Sequence, residues 1–190
     1  MSGGSGRLLA VATKGVEMSV ETWTAVVVAD WIKRLVDEER KRDAVRVREE
    51  ETAARKADLV RLNGRRLIDE LRATVMRDVE AFRDEFAGDR TREIVVEATE
   101  PEGGFVVRKP ASPAVSLTVA PHLEAAAMGC LYRFTPTNGL PPREDRVELV
   151  FAGDGGETLQ VKHGVTGKVF ATADALSEFL LVPVLTGRPR

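Results

Sequence analysis

Residues 19–88 read SVETWTAVVVADWIKRLVDEERKRDAVRVREEETAARKADLVRLNGRRLIDELRATVMRDVEAFRDEFAG. The stretch has no proline and, before its closing Gly88, a single glycine, Gly64. Ala, Leu, Glu and Arg, which give up little on entering a helix, dominate it. It therefore reads as helix from Ser19 to Phe86 (residues 19–87 with its closing turn). Ser19 or Thr22 can cap the start, with Glu21 near the positive end of the dipole. Gly88 follows the last periodic apolar residue, where a left-handed cap is wanted.

The apolar pattern divides this run into three. Val20, Trp23, Val27, Val28, Trp31, Ile32, Leu35 and Val36 share one broad face at helical spacing. That face holds both tryptophans of the chain. Its apolar core is shorter than the ~20 residues a membrane span needs, and Asp30 and Lys33 cut into it. The face either packs on the protein's own sheet or second helix, or docks a partner. An interfacial membrane helix would want surplus Lys and Arg on its polar side, and here acids balance them. From Asp37 to Asp58 the stripe thins to Ala44, Val45, Val47, Ala53, Ala54 and Ala57. Acid-then-base pairs replace it: Asp37 with Lys41, Glu38 with Arg42 and Glu51 with Arg55, each worth a few tenths of a kcal/mol. Such a helix bridges solvent or pairs weakly along alanine-lined seams, as a coiled coil does.

From Leu59 the stripe returns with Val60, Gly64, Leu67, Ile68, Leu71, Val75, Val79, Phe82 and Phe86. Gly64 lies on it, so another segment could approach closely there. Asn63-Gly64 is also a strong turn dipeptide, and a chain that folded back there would form an antiparallel helical pair. The periodicity favours a continued helix.

Outside this run the period changes. Met1–Gly6 reads as a flexible lead, and the short apolar run Leu8–Ala12 as a strand or tail within residues 1–18; it is too short for a secretory signal. After Gly88, alternation marks strands at Glu93–Glu97, Phe105–Arg108, Val115–Val119, Met128–Phe134, Val147–Phe151, Leu159–His163 and Val169–Ala171. Leu123–Met128 reads as helical turn or strand entry. Thr135–Asp145 reads as a long polar loop, and Gly153–Gly156 as a tight hairpin. Thr172 can cap a last helix carrying Ala175, Leu176, Phe179, Leu180 and Val182, which Pro183 ends or kinks. The fold class is α+β: a long N-terminal helix, an antiparallel meander of six or seven strands over residues 88–190, and a C-terminal helix on the sheet. One sheet face must be covered. The C-terminal helix is the first candidate to cover it and Leu67–Phe86 the second.

Chemistry-bearing patterns are scarce. His122 and His163 stand in no metal-ligand spacing, and the one cysteine, Cys130, excludes a thiolate zinc site and any internal disulfide. Cys130 shares the apolar side of its strand with Met128 and Tyr132, which reads as an inert buried thiol. A Cys130–His163 nucleophile pair lacks an orienting third group. Gly153-Asp154-Gly155-Gly156 joins two strands and precedes no helix, so it is a turn and not a phosphate loop. A formal charge of −2 gives phosphates no positive field, and aromatics at 5% are too few for base-stacking platforms, which argues against nucleic acid. The cluster Arg61, Arg65, Arg66 and Arg72 has Asp58, Asp69 and Glu70 within a turn and reads as a solvated helix face. No cofactor or metal motif is present. The cysteine usage reads as cytoplasmic, and the Arg- and Ala-rich composition as that of a GC-rich bacterial genome.

If straight, the run would reach roughly 100 Å at about 1.5 Å per residue, more than so small a sheet can cover. An apolar end left over marks an interface. The functional expectation is a non-enzymatic assembly module, one that forms a homo-oligomer or docks a protein partner through Val20, Trp23, Val27, Trp31 and Leu35. Two alternatives stand beside it. One is a small-molecule sensor using the sheet face and the Pro136–Asp145 loop; the other is an enzyme built on His163 or Cys130.

Overall fold

A computed structural model describes residues 20–99, 103–153 and 158–189, with side chains from Asp30 onward in those ranges. The expected lead at 1–18, the cap Ser19 and the side chains of Val20, Trp23 and Val27 lie outside the described residues. The chain divides into two compact units, Met1–Glu49 and Glu50–Arg190.

The element order is α1 (Val20–Glu85), a 3-10 turn (Arg90–Arg92), β1 (Val95–Ala98), β2 (Phe105–Lys109), β3 (Ala114–His122), β4 (Ala127–Thr135), β5 (Arg143–Gly153), β6 (Leu159–His163), β7 (Val169–Phe170) and α2 (Ala173–Thr186). The seven strands form one curled antiparallel sheet in sequence order, β1 to β7. This is the α+β arrangement that the change of period implies.

α1 runs unbroken through Asn63-Gly64. The close approach permitted by Gly64 is used by a side chain from the turn after β3. A Cβ at Gly64 would stand 2.9 Å from Leu123 Cδ2. Gly88, at φ 88°, ends the following turn. Asp89 then caps the 3-10 turn, its Oδ1 accepting from Thr91 N at 2.9 Å.

In the second unit, the stripe Val60, Ile68, Leu71, Val75 and Val79 is buried to within 3% on the inner face of the sheet. Alternate residues of the strands meet it: Leu117 and Val119 of β3, Cys130 and Tyr132 of β4, Leu149 and Phe151 of β5. Leu176, Leu180, Leu181 and Val184 of α2 complete this core. Both candidate helices therefore cover the sheet. Each such aliphatic side chain contributes about 1.5–3 kcal/mol on burial. The stripe weakens at its end: Phe82 is half-buried and Phe86 is exposed, with the Arg92 guanidinium 3.7 Å above its ring.

Polar contacts fix the helices in place. Ser177 Oγ, fully buried on α2, donates to Asp78 Oδ2 on α1 at 2.7 Å. Arg77 donates to both Asp78 and Asp174, each at 2.7 Å. Tyr132 Oη donates to the carbonyl oxygen of Leu180 at 3.0 Å, joining β4 to α2.

One local expectation needs correction, and two others resolve between their alternatives. The loop expected over Pro136–Asp145 is shorter, because Arg143, Glu144 and Asp145 pair with Phe134, Arg133 and Tyr132 as the start of β5. Their charges hid a strand whose side chains alternate beyond the edge of the core. Of the two outcomes expected at Pro183, an end to α2 is not seen: the helix continues to Thr186 and closes on Gly187 at φ 69°, with Gly187 N donating to Pro183 O. A proline removes one helical hydrogen bond, and a helix seated on a sheet can forgo it. Leu123–Ala126 is the turn expected there and leads directly into β4 at Ala127, with Ala126 left-handed at φ 49° and its carbonyl accepting from Phe151 N.

Candidate interaction surface

Every described side chain from Asp30 to Arg55 is exposed. The described members of the tryptophan-bearing face stand at successive helical rows, Trp31 with Leu35 and Ile32 with Val36. Their exposures are 48%, 47%, 42% and 41% respectively. Water contact with four large apolar side chains inside six residues is a concentrated patch, and its cost falls when another apolar surface covers it. Farther along, Val45 and Val47 are also exposed.

The charge lattice beyond the patch forms, though with different partners. Arg42 pairs with Glu39 at 2.7 Å instead of Glu38, and Arg46 with Asp43 at 3.0 Å. Both are three-residue spacings. Neither Asp37 with Lys41 nor Glu51 with Arg55 forms an ion pair among the described residues. Spacings of three and four are close in energy on an exposed helix, so rotamers decide between them. The arginine cluster is largely neutralised: Arg61 pairs with Asp58, and Arg65 and Arg72 share Asp69, all within 3.4 Å. That is the solvated face expected, with no concentrated positive field.

The residues weighed for catalysis are not brought together. Cys130 is buried opposite Val119 and Val147, whereas His163 lies on β6 opposite Leu149. Two strand spacings of about 4.8 Å separate their strands. His163 instead serves the β6–β7 turn: its Nδ1 accepts from Val165 N at 3.1 Å and Thr166 N at 3.2 Å. Among the described residues no group of three or more His, Cys, Asp or Glu could hold a metal ion. No helix there is long and apolar enough to cross a membrane.

A cavity of about 370 Å³ lies between α1, β6, β7 and the first turn of α2. Leu71, Leu159, Val161, Phe170 and Leu176 form its apolar floor, and Glu70, Thr158, Thr172 and Asp174 its rim. None of residues 136–145 lines it. Periodicity could not reveal this cavity, because it forms only where α1, at residues 67–71, meets the distant segment 158–176. Comparison of the chain with protein-family models, curated proteins and solved structures finds no match.

Proposed function

We propose that the chain is a non-enzymatic assembly module that joins a second copy of itself, or a protein partner, through the apolar face near the start of α1. The observation that carries this reading is the exposure of Trp31, Ile32, Leu35 and Val36 within six residues of one helix. A helix without tertiary packing is marginal in water, so covering this face stabilises both the helix and the complex. Val20, Trp23 and Val27 extend the face in the sequence pattern. Tryptophan supplies the large, rigid contact area typical of binding hot spots.

Mass measured by light scattering at micromolar concentration tests the reading. The full chain is expected to run as an oligomer, and the double variant Trp23→Ser, Trp31→Ser as a monomer with its sheet intact by circular dichroism. A wild-type chain that stays monomeric removes self-association. Loss of folded structure in the variant would assign the face to the protein's own core and overturn the reading.

A further inference from the structure

We propose that His163 is a proton-operated latch on the β6–β7 turn. Two backbone N–H groups, from Val165 and Thr166, point at its Nδ1, at 3.1 and 3.2 Å. Two donors aimed at one ring nitrogen make it the acceptor, so the neutral ring carries its proton on Nε2. The rest of the turn is tied to the backbone: His163 N donates to Lys168 O, Gly167 N to His163 O and Gly164 N to Glu148 O, within 2.9 Å. At the tip, then, the ring holds the two donors of Val165 and Thr166.

Protonation removes this support outright. An imidazolium has two N–H donors and no acceptor, so a ring flip cannot restore either bond. A second effect acts in the same direction. The ring of Phe179 meets His163 edge-on, with centroids 5.8 Å apart. Lys168 Nζ lies 5.8 Å from the same Phe179 centroid and 5.3 Å from that of Phe170. A charged His163 therefore places a second cation on the ring that seats Lys168, and the like charges repel. The other charged groups nearest in the chain or register are Glu148 on β5, Lys162 on β6 and Glu178 on α2; Glu148 and Glu178 are exposed and Lys162 half-buried. No ion pair joins any of the three to His163 among the described residues. Acidification thus frees the Val165 and Thr166 amides at the tip and loosens the Lys168 side chain, while the backbone bonds of the turn and the pairing of β6 with β5 remain.

Amide NMR of the full ¹⁵N-labelled chain tests the latch as pH is lowered over the range from about 8 to 5. At the upper end the His163 nitrogens should report the Nε2–H tautomer, with the Val165 and Thr166 amides protected from exchange. As pH falls, both amides should lose their hydrogen-bonded shifts and protection with the midpoint of the His163 ring protons. In His163→Asn, whose side chain does not titrate, the pH response of both amides should vanish. Amides that stay constant while the ring titrates overturn the latch, as does a ring that takes up no proton across the range. The wild-type titration decides the matter even if the variant does not fold.

Discussion

Gly64 offers the sharpest test of how α1 is built. In a helix interior, alanine is worth about 1 kcal/mol more than glycine. Gly64→Ala would collect that gain on an isolated helix. Here the new Cβ would stand 2.9 Å from Leu123 Cδ2 and 3.4 Å from Val60 Cγ1. The first distance falls well short of the ~3.5–4.0 Å optimum for carbon atoms. Leu123 sits half-buried in a turn, and moving the end of its side chain off its rotamer costs about 0.5–1.5 kcal/mol. The two effects nearly cancel, so Gly64→Ala alone should change stability by less than about 0.5 kcal/mol. In a Leu123→Ala background the obstruction is gone, and the same substitution should stabilise by about 1 kcal/mol. Urea unfolding of the wild type, both single variants and the double variant gives the coupling directly, and about 1 kcal/mol is expected. The reasoning fails if the full gain is seen in the wild-type background, because Leu123 would then not pack on the helix. It fails in the other direction if Gly64→Ala costs more than about 1 kcal/mol in both backgrounds, the signature of a glycine turning the chain in the left-handed region.

Two further outcomes follow from named contacts. A Cβ at Gly104 would stand 2.7 Å from the carbonyl oxygen of Val119 and 2.8 Å from Thr99 Oγ1. The carbonyl belongs to the interior strand β3, paired on both sides, and cannot yield, so Gly104→Ala should cost about 1–3 kcal/mol, at roughly 2–4 °C of Tm per kcal/mol by calorimetry; an unchanged Tm would refute the contact. At acid pH, hydrogen bonds from Thr91, then the charge of Arg92, hold the Asp89 carboxyl below its ordinary value of 3.8. The hydrogen bond from Arg77, then its charge, does the same for Asp174. A carboxyl depressed in the folded state adds stability above its ordinary range and loses it as pH falls through the folded value. Urea midpoints followed from neutrality down through the carboxylate range should therefore fall less steeply in Asp89→Asn and Asp174→Asn than in the wild type, and equal slopes would count against both bonds.

Local patterns in the sequence carried most of the architecture. Apolar residues at steps of three and four placed the stripe from Val60 to Val79; Val60, Ile68, Leu71, Val75 and Val79 are core and Leu67 is half-buried against it. Period-two alternation marked seven strand segments, because a half-buried strand must present opposite characters to its two faces. Gly88 as a stop and Thr172 as a cap were legible for the same reason: each meets a need of the backbone within a turn of itself. The exposed patch was legible only in part. Sequence showed that Trp31 and Leu35 share a face, but whether anything covers such a face depends on where distant segments come to rest.

Tertiary structure decided what local chemistry left open. At Asn63-Gly64 the periodicity favoured continuation without excluding a turn, and continuation places Ile68, Leu71 and Val75 on the sheet while Leu123 fills the notch at Gly64. Arg143 to Asp145 look like loop until β4 supplies hydrogen-bond partners, and Pro183 looks like a stop until α2 is held by its packing. Sequence placed His163 at a hairpin end, but the way the β6–β7 turn closes is what brings the amides of Val165 and Thr166, two and three residues along, onto its Nδ1. Sequence by itself determined the periods and the ends of elements, which depend on residues a few positions apart. Pairing, burial and side-chain partners depend on segments up to a hundred residues apart, and only the folded chain brings those together.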